Sequence, residues 1–166
     1  MKVIKSLALA ALAVCIFTSC KEKEPEQPPV VEDNVYAGKV TVVAYGQSQE
    51  SDLEVKALST AKEDSIVLFL QRVQFVPQMP GLDIKIPVQA ATTADYVALS
   101  GTGITPYLVS ATGDDTPYPT FSIDNVSGKI TSDSLIFSTD IVVVDGGLGF
   151  PVGLTFPTSF AGKLKK

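Results

Sequence analysis

The 166-residue chain has no histidine and no tryptophan, and only two cysteines. Without histidine there is no Ser-His-Asp or Cys-His nucleophile, no imidazole zinc site and no usual general base near neutral pH. Both cysteines, Cys15 and Cys20, stand near the N-terminus. Beyond residue 20 the chain can form neither a disulfide nor a thiolate metal site. Positive charge is also scarce, with 13 basic against 18 acidic residues and a net charge of −5. Nucleic acid needs clustered Lys and Arg, so DNA and RNA are poor partners for this surface. The N-terminal apolar run, Leu7 to Phe17, is too short to span a bilayer comfortably, which takes roughly 20 apolar residues.

What is present starts with an export address. Lys2 and Lys5 form a positive n-region, Leu7 to Phe17 an apolar segment, and Thr18-Ser19-Cys20 follows. This order predicts a secretory signal over residues 1–19. Thr18-Ser19-Cys20 resembles a lipobox, where lipoprotein signal peptidase cuts. Phe17 stands where Leu is usual, as in the looser lipoboxes of the Bacteroidetes. The resemblance implies cleavage before Cys20, a covalent lipid on Cys20 and membrane attachment through it. The alternative is an ordinary signal peptide with an incidental cysteine.

Lys21 to Pro29 is charged, rich in proline and free of large apolar side chains. It cannot bury enough surface to fold, so residues 20–34 read as an extended tether. The stretch resembles the charged segment that sends some Bacteroidetes lipoproteins to the outer face of the outer membrane. Lys21 and Lys23 interrupt its acids, and a solvated spacer is the competing reading. Without residues 1–19 the chain has 147 residues, 11 basic against 18 acidic, a net charge of −7 and room for one domain.

From Val35 onward the pattern is β, because period-2 alternation recurs between turn signals and helical spacing is nowhere sustained. Strands are expected at Val35–Gly46, around Leu53 to Ala57, and at Ser65–Val76, Leu82–Gln89 and Ala94–Gly101. Further strands are expected at Thr120–Ile130, Ser134–Val144 and Leu154–Leu164, with a short one near Tyr107 to Ala111. Gln47 to Glu50 reads as a turn. Gln71-Arg72 suggests a bulge, and Pro87 an edge or bulge, since proline donates nothing to a ladder. Tyr36-Ala37-Gly38-Lys39-Val40 opens the domain, and Phe160-Ala161-Gly162-Lys163-Leu164 ends it. Val126-Ser127-Gly128-Lys129-Ile130 is a third variant. Glycine in a strand permits a sharp bend at a barrel corner. Pairing of the first strand with the last would close the sheet. The fold expected over residues 35–166 is an all-β, antiparallel, up-and-down closed barrel of about eight strands.

The lipobox, the acidic tether, the Gly-Lys segments and Met79-Pro80-Gly81-Leu82-Asp83-Ile84 together resemble the calycin-like (lipocalin-like) β-barrel lipoproteins of the Bacteroidetes. That resemblance implies a closed eight-stranded barrel and brings no catalytic residues. The chain departs from true lipocalins, which carry Gly-x-Trp on the first strand, because Gly38 is followed by Lys39-Val40.

No spacing marks a pair of catalytic carboxylates, and Asp114-Asp115 supplies too few oxygens for calcium. Asp145-Gly146-Gly147-Leu148-Gly149 lacks the Lys-Ser/Thr of a phosphate loop. No enzyme, metal or cofactor is expected apart from lipid on Cys20. Candidate barrel-lining residues are Tyr36, Phe69, Phe75, Ile84, Ile86, Phe121, Phe137, Phe156 and Phe160. The expected function is that of a lipid-anchored module of the outer membrane, exposed at the cell surface if the charged segment acts as it does in those lipoproteins. It binds a small apolar molecule or a glycan fragment at one barrel mouth. The alternative is a filled barrel that serves as an accessory module to another envelope protein.

Overall fold

The computed structural model describes residues 33–76, 79–146 and 148–166. Cys20, the expected signal and nearly all of the expected tether lie outside them. Among the described residues there are only strands, turns and loops.

Alternation builds the first strand. In β1 (Asn34–Ala44), Tyr36, Val40, Val42 and Ala44 are buried while Ala37 and Lys39 are exposed. β-branched and aromatic side chains suit such a half-buried pleat. β1 passes into β2 (Gln47–Ser59) through Tyr45 and Gly46, whose φ angles are +51° and +75°. A tight two-residue hairpin turn needs this left-handed pair. The turn expected at Gln47–Glu50 is therefore strand, in register with β1 from Ala44↔Gln47 onward. Polar side chains on both faces concealed it, because this part of β2 stands clear of the core.

β3 (Ser65–Val73), β4 (Leu82–Thr92) and β5 (Val97–Gly101) follow. Then come two short strands, β6 (Tyr107–Val109) and β7 (Asp115–Pro117), and last β8 (Phe121–Ile130), β9 (Ser134–Val143) and β10 (Thr155–Leu164). Eight of these form a ring in the order β1-β2-β3-β4-β5-β8-β9-β10, all antiparallel, and β10 pairs back to β1. The closed up-and-down barrel is the fold the sequence predicts. β6 and β7 form a hairpin on the flank of β4. β7, whose residues are all exposed, had no apolar pattern to mark it.

Three irregularities shape the wall. β3 shifts register between Leu70 and Val73, where Arg72 takes φ +58°, as the Gln71-Arg72 pair suggested. β8 shifts between Asp124 and Ser127, where Asn125 takes φ +52°. Both have the signature of β-bulges, which bend a strand and re-aim its side chains. Pro87 pairs with Val67 of β3. On its other side β4 pairs with β6 up to Lys85 and with β5 from Gln89, so the proline sits where no partner asks for its N–H.

The three Gly-Lys segments meet at one corner. Gly38 lies opposite Gly162, and Gly128 lies opposite Phe137. A Cβ on Gly38 would strike the Ala161 carbonyl oxygen and the Gly162 Cα. One on Gly162 would come within 2.5 Å of Phe160 Cζ, and one on Gly128 within 2.6 Å of Phe137 Cβ. The space these glycines leave is taken by Phe137 and Phe160, which stack at 5.6 Å.

The two ends of the barrel differ. One end holds both described chain ends and the short connections 60–64, 93–96 and 131–133. The other holds the Tyr45-Gly46 turn and the longer segments 74–81 and 144–154, together with the approach to β8.

Candidate functional site: the capped end of the barrel

An aromatic cluster closes the end with the longer loops. The bulge at Arg72 lets Val73 and Phe75 both turn inward, and each is buried. Phe75 meets Phe121 edge-on at 5.4 Å and stacks on Phe156 at 5.9 Å. Tyr118 lies edge-on to Phe121 at 5.5 Å, and Phe150 edge-on to Phe156 at 5.5 Å. Offset and edge-to-face rings at such separations contribute about 0.5–1.5 kcal/mol per pair beyond their buried area.

Backbone bonds hold the loops over this cluster. Met79 N–H donates to Val76 O at 3.0 Å, and Gln74 Nε2 donates to Met79 O at 2.9 Å. Val144 N–H donates to Thr120 O at 2.8 Å, and Gly153 N–H donates to Val143 O at 2.8 Å. These last two bonds fix the residues on either side of the glycine-rich segment. Beside it runs a groove of about 330 Å³ lined by Val76, Met79, Leu82, Tyr118, Leu148 and Phe150, with Pro80 at its edge. Exposed apolar side chains gather at the same end: Tyr45 and Val152 are two-thirds exposed, and Val144 and Leu148 about half. The Tyr118 hydroxyl has its pKa raised by burial and by the nearby Asp145 charge, against a lowering hydrogen bond with Thr120.

Behind the cap the barrel is filled. Val40, Val55, Leu68, Leu70, Ile86, Ile123, Leu135 and Ile141 all point inward and are buried. An eight-stranded barrel is just wide enough for side chains to fill. The inward polar groups include Thr139 and Thr158, whose hydroxyls donate to Asp124 O at 2.8 Å and to Phe156 O at 3.0 Å. Neither offers a free polar atom to a ligand inside.

Eight of the nine candidate lining residues are buried. Tyr36, Ile84, Ile86, Phe137 and Phe160 lie in the filled barrel, and Phe75, Phe121 and Phe156 lie in the cap. Phe69 is the exception, since its neighbours Leu68 and Leu70 take the inward positions. It lies half-buried on the outer wall between Lys56 and Lys85, with each ammonium 5.7 Å from the ring centroid. The near-continuous apolar run of β3 hid its phase. Tyr118, Phe150, Met79 and Leu148 were missed as members of the site. Their signal was large apolar side chains inside Pro- and Gly-rich segments.

No carboxylate is buried among the described residues. Asp115 receives both its bonds from Lys85 Nζ, at 2.9 and 2.8 Å, and Asp114 Oδ2 accepts from Thr112 at 2.7 Å. No group of three or more potential metal ligands occurs among the described residues. The wall turns Lys39, Glu54, Lys56, Lys85, Asp124, Asp140 and Lys163 outward, and aliphatic and aromatic side chains inward. A membrane-spanning barrel has the opposite sidedness, with an apolar band toward lipid.

No protein-family model matches the chain, and no curated protein matches it. Among solved structures it resembles a protein of Bacteroides fragilis described as a "putative outer membrane protein", with a TM-score of 0.51 and 16% identity. The likeness covers 79% of this chain and 50% of that one, so this chain spans about half the length of that structure. At this identity the likeness shows a shared fold.

Proposed function

We propose that the chain is a non-catalytic accessory module of the bacterial cell envelope. In this reading it is a calycin-like barrel, carried by lipid on Cys20, that receives an apolar segment of a partner protein at its capped end. One observation carries the reading: the end that holds an apolar groove also exposes apolar side chains, while the barrel behind it is filled. A concentration of exposed apolar side chains at one end of a domain points to an interaction site. The outward charges support attachment through lipid rather than through the barrel wall. The lipobox-like segment supports an envelope location, in keeping with the description of the structural neighbour. Exposure at the cell surface rests on the charged stretch after Cys20.

A photo-crosslinker at Val152 in intact cells tests the partner. A reproducible protein adduct is expected from Val152 and none from Ile136, an exposed residue of β9 on the outer wall. The absence of any adduct from Val152 would sink the reading. A second reading is favoured by the groove itself: its volume of about 330 Å³ lies at the lower limit of small-molecule pockets, roughly 300–1,000 Å³. A small apolar molecule would then appear as a defined mass in native mass spectrometry of the protein from cell extract. Cys20→Ala should release the protein from the membrane, and continued labelling of that variant by palmitate would overturn the anchor.

A further inference from the structure

β2 is paired with β1 along its whole outer half, but with β3 only from Val55↔Leu70 to Ser59↔Ile66. Residues 47–54 therefore present one unpaired edge, and among the described residues no backbone bond from a turn or loop covers it. The β3 bulge at Arg72 carries the neighbouring strand away and opens a cleft of about 520 Å³. One wall of the cleft is Asp52, Leu53 and Glu54 of the free edge. The other carries Gln71, Arg72, Gln74 and Asp83.

We infer that this edge accepts an extended strand of a partner protein, one with basic side chains at alternate positions. The backbone of residues 47–54 supplies the N–H and C=O groups that strand addition uses. Gln71 and Arg72 supply side-chain donors for carbonyls on the incoming strand's far edge. Glu50, Asp52 and Glu54 recur every second residue on the outer face, so facing Lys or Arg side chains would lie opposite them. Lys39 already approaches Glu50 at 3.8 Å, and Lys165 holds Glu54 at 2.6 Å. Asp83 Oδ1 accepts the Arg72 N–H at 2.7 Å. Asp52 takes part in no salt bridge within 4.0 Å among the described residues and is the acid most open to a new cation. A second copy of this chain is a poor occupant. Antiparallel pairing of the edge with itself, in the registers that use most of it, sets acid against acid: Glu50 opposite Glu50, Asp52 or Glu54. Like charges directly opposite destabilise a ladder.

The test is hydrogen exchange on the purified full-length protein with a synthetic decapeptide of alternating Lys and Val. Amide exchange within residues 47–54 should slow at least about tenfold. The same peptide with alternate backbone amides N-methylated, which leaves its charge intact, should give no such slowing. The double variant Glu50→Lys with Asp52→Lys should lose the response and gain one to alternating Glu and Val. Equal slowing by the methylated peptide would overturn the inference, and so would protection confined to residues 144–154. Protection of 47–54 that rises with protein concentration and no peptide would assign the edge to a second copy and overturn it too. Residues 144–154 report separately on the apolar end, so failure at one surface is distinguishable from failure at the other.

Discussion

The barrel closes its two ends by different means. At the end that holds both described termini, closure is a matter of backbone proximity. Gly38 and Gly162 face each other, the Phe137 and Phe160 rings fill the space beside them, and short latches finish the edge. Lys163 Nζ reaches Asp133 at 2.9 Å, and Lys165 N–H donates to Val35 O at 2.8 Å. At the other end closure is a matter of side chains. Phe75, Phe121, Phe150, Phe156 and Tyr118 come from separate loops and strands and meet only in the fold. The first device leaves little apolar surface outside. The second leaves Tyr45, Val144, Leu148 and Val152 exposed, and that surplus of apolar surface separates the two ends.

Phe75→Ala tests the side-chain closure most severely. It removes the ring on which Phe121 and Phe156 rest, and should cost about 3–5 kcal/mol in urea unfolding. A cost below about 1 kcal/mol would mean that the cap is ornamental to stability, and the contrast would collapse. Gly38→Ala tests the backbone closure. The atoms it would strike belong to the facing backbone and cannot swing aside, so a loss of about 2–3 kcal/mol is expected. Gly146→Ala, in the glycine-rich segment, is the control: its new Cβ would find only Phe150 O, at 3.9 Å, and should stay within about 0.5 kcal/mol of wild type.

Alkali should strain both ends. Burial raises the pKa of Tyr36, against a hydrogen bond with Asn34, and burial with the Asp145 charge raises that of Tyr118. The folded value of each exceeds the ordinary 10.0, so their contribution is whole below that pH and is lost as pH rises through the folded value. Unfolding followed with tyrosinate absorbance should show this loss, and Tyr36→Phe or Tyr118→Phe should reduce it. An unchanged profile in Tyr118→Phe would remove the cap from the alkaline response. The smallest effect belongs to Asp133. The bond from Lys163 holds its carboxyl below the ordinary 3.8, with further lowering from Thr131 and Ser134. Its contribution is present above that value and is lost as pH falls through the folded one, so Asp133→Asn should blunt the fall in thermal midpoint between about pH 5 and about pH 2.

The end closed by backbone proximity was the more legible in sequence, because its device is written locally. The repeated Gly-Lys segments announced the meeting of β1 and β10. The capped end was legible only in part. Phe75, Phe121 and Phe156 could be named as apolar, but not as a cluster, since contacts across 46 and 81 residues leave no periodic trace. Phe69 was misread for a different reason, the near-continuous apolar run of β3. Only the register that sets it between Lys56 and Lys85 shows that it faces outward. The free edge of β2 was hidden more thoroughly still, because its polar side chains imitate a turn.

The seam between β1 and β10 also has a mechanical side. The chain leaves toward its N-terminus at one end of the barrel, and the apolar surface lies at the other. A load drawn between a membrane anchor and a partner held at that surface therefore runs along the strands. The rungs from Tyr36↔Leu164 to Val42↔Thr158 would bear it together in shear, instead of parting one after another like a zip. A module anchored in that way would be braced against such a pull.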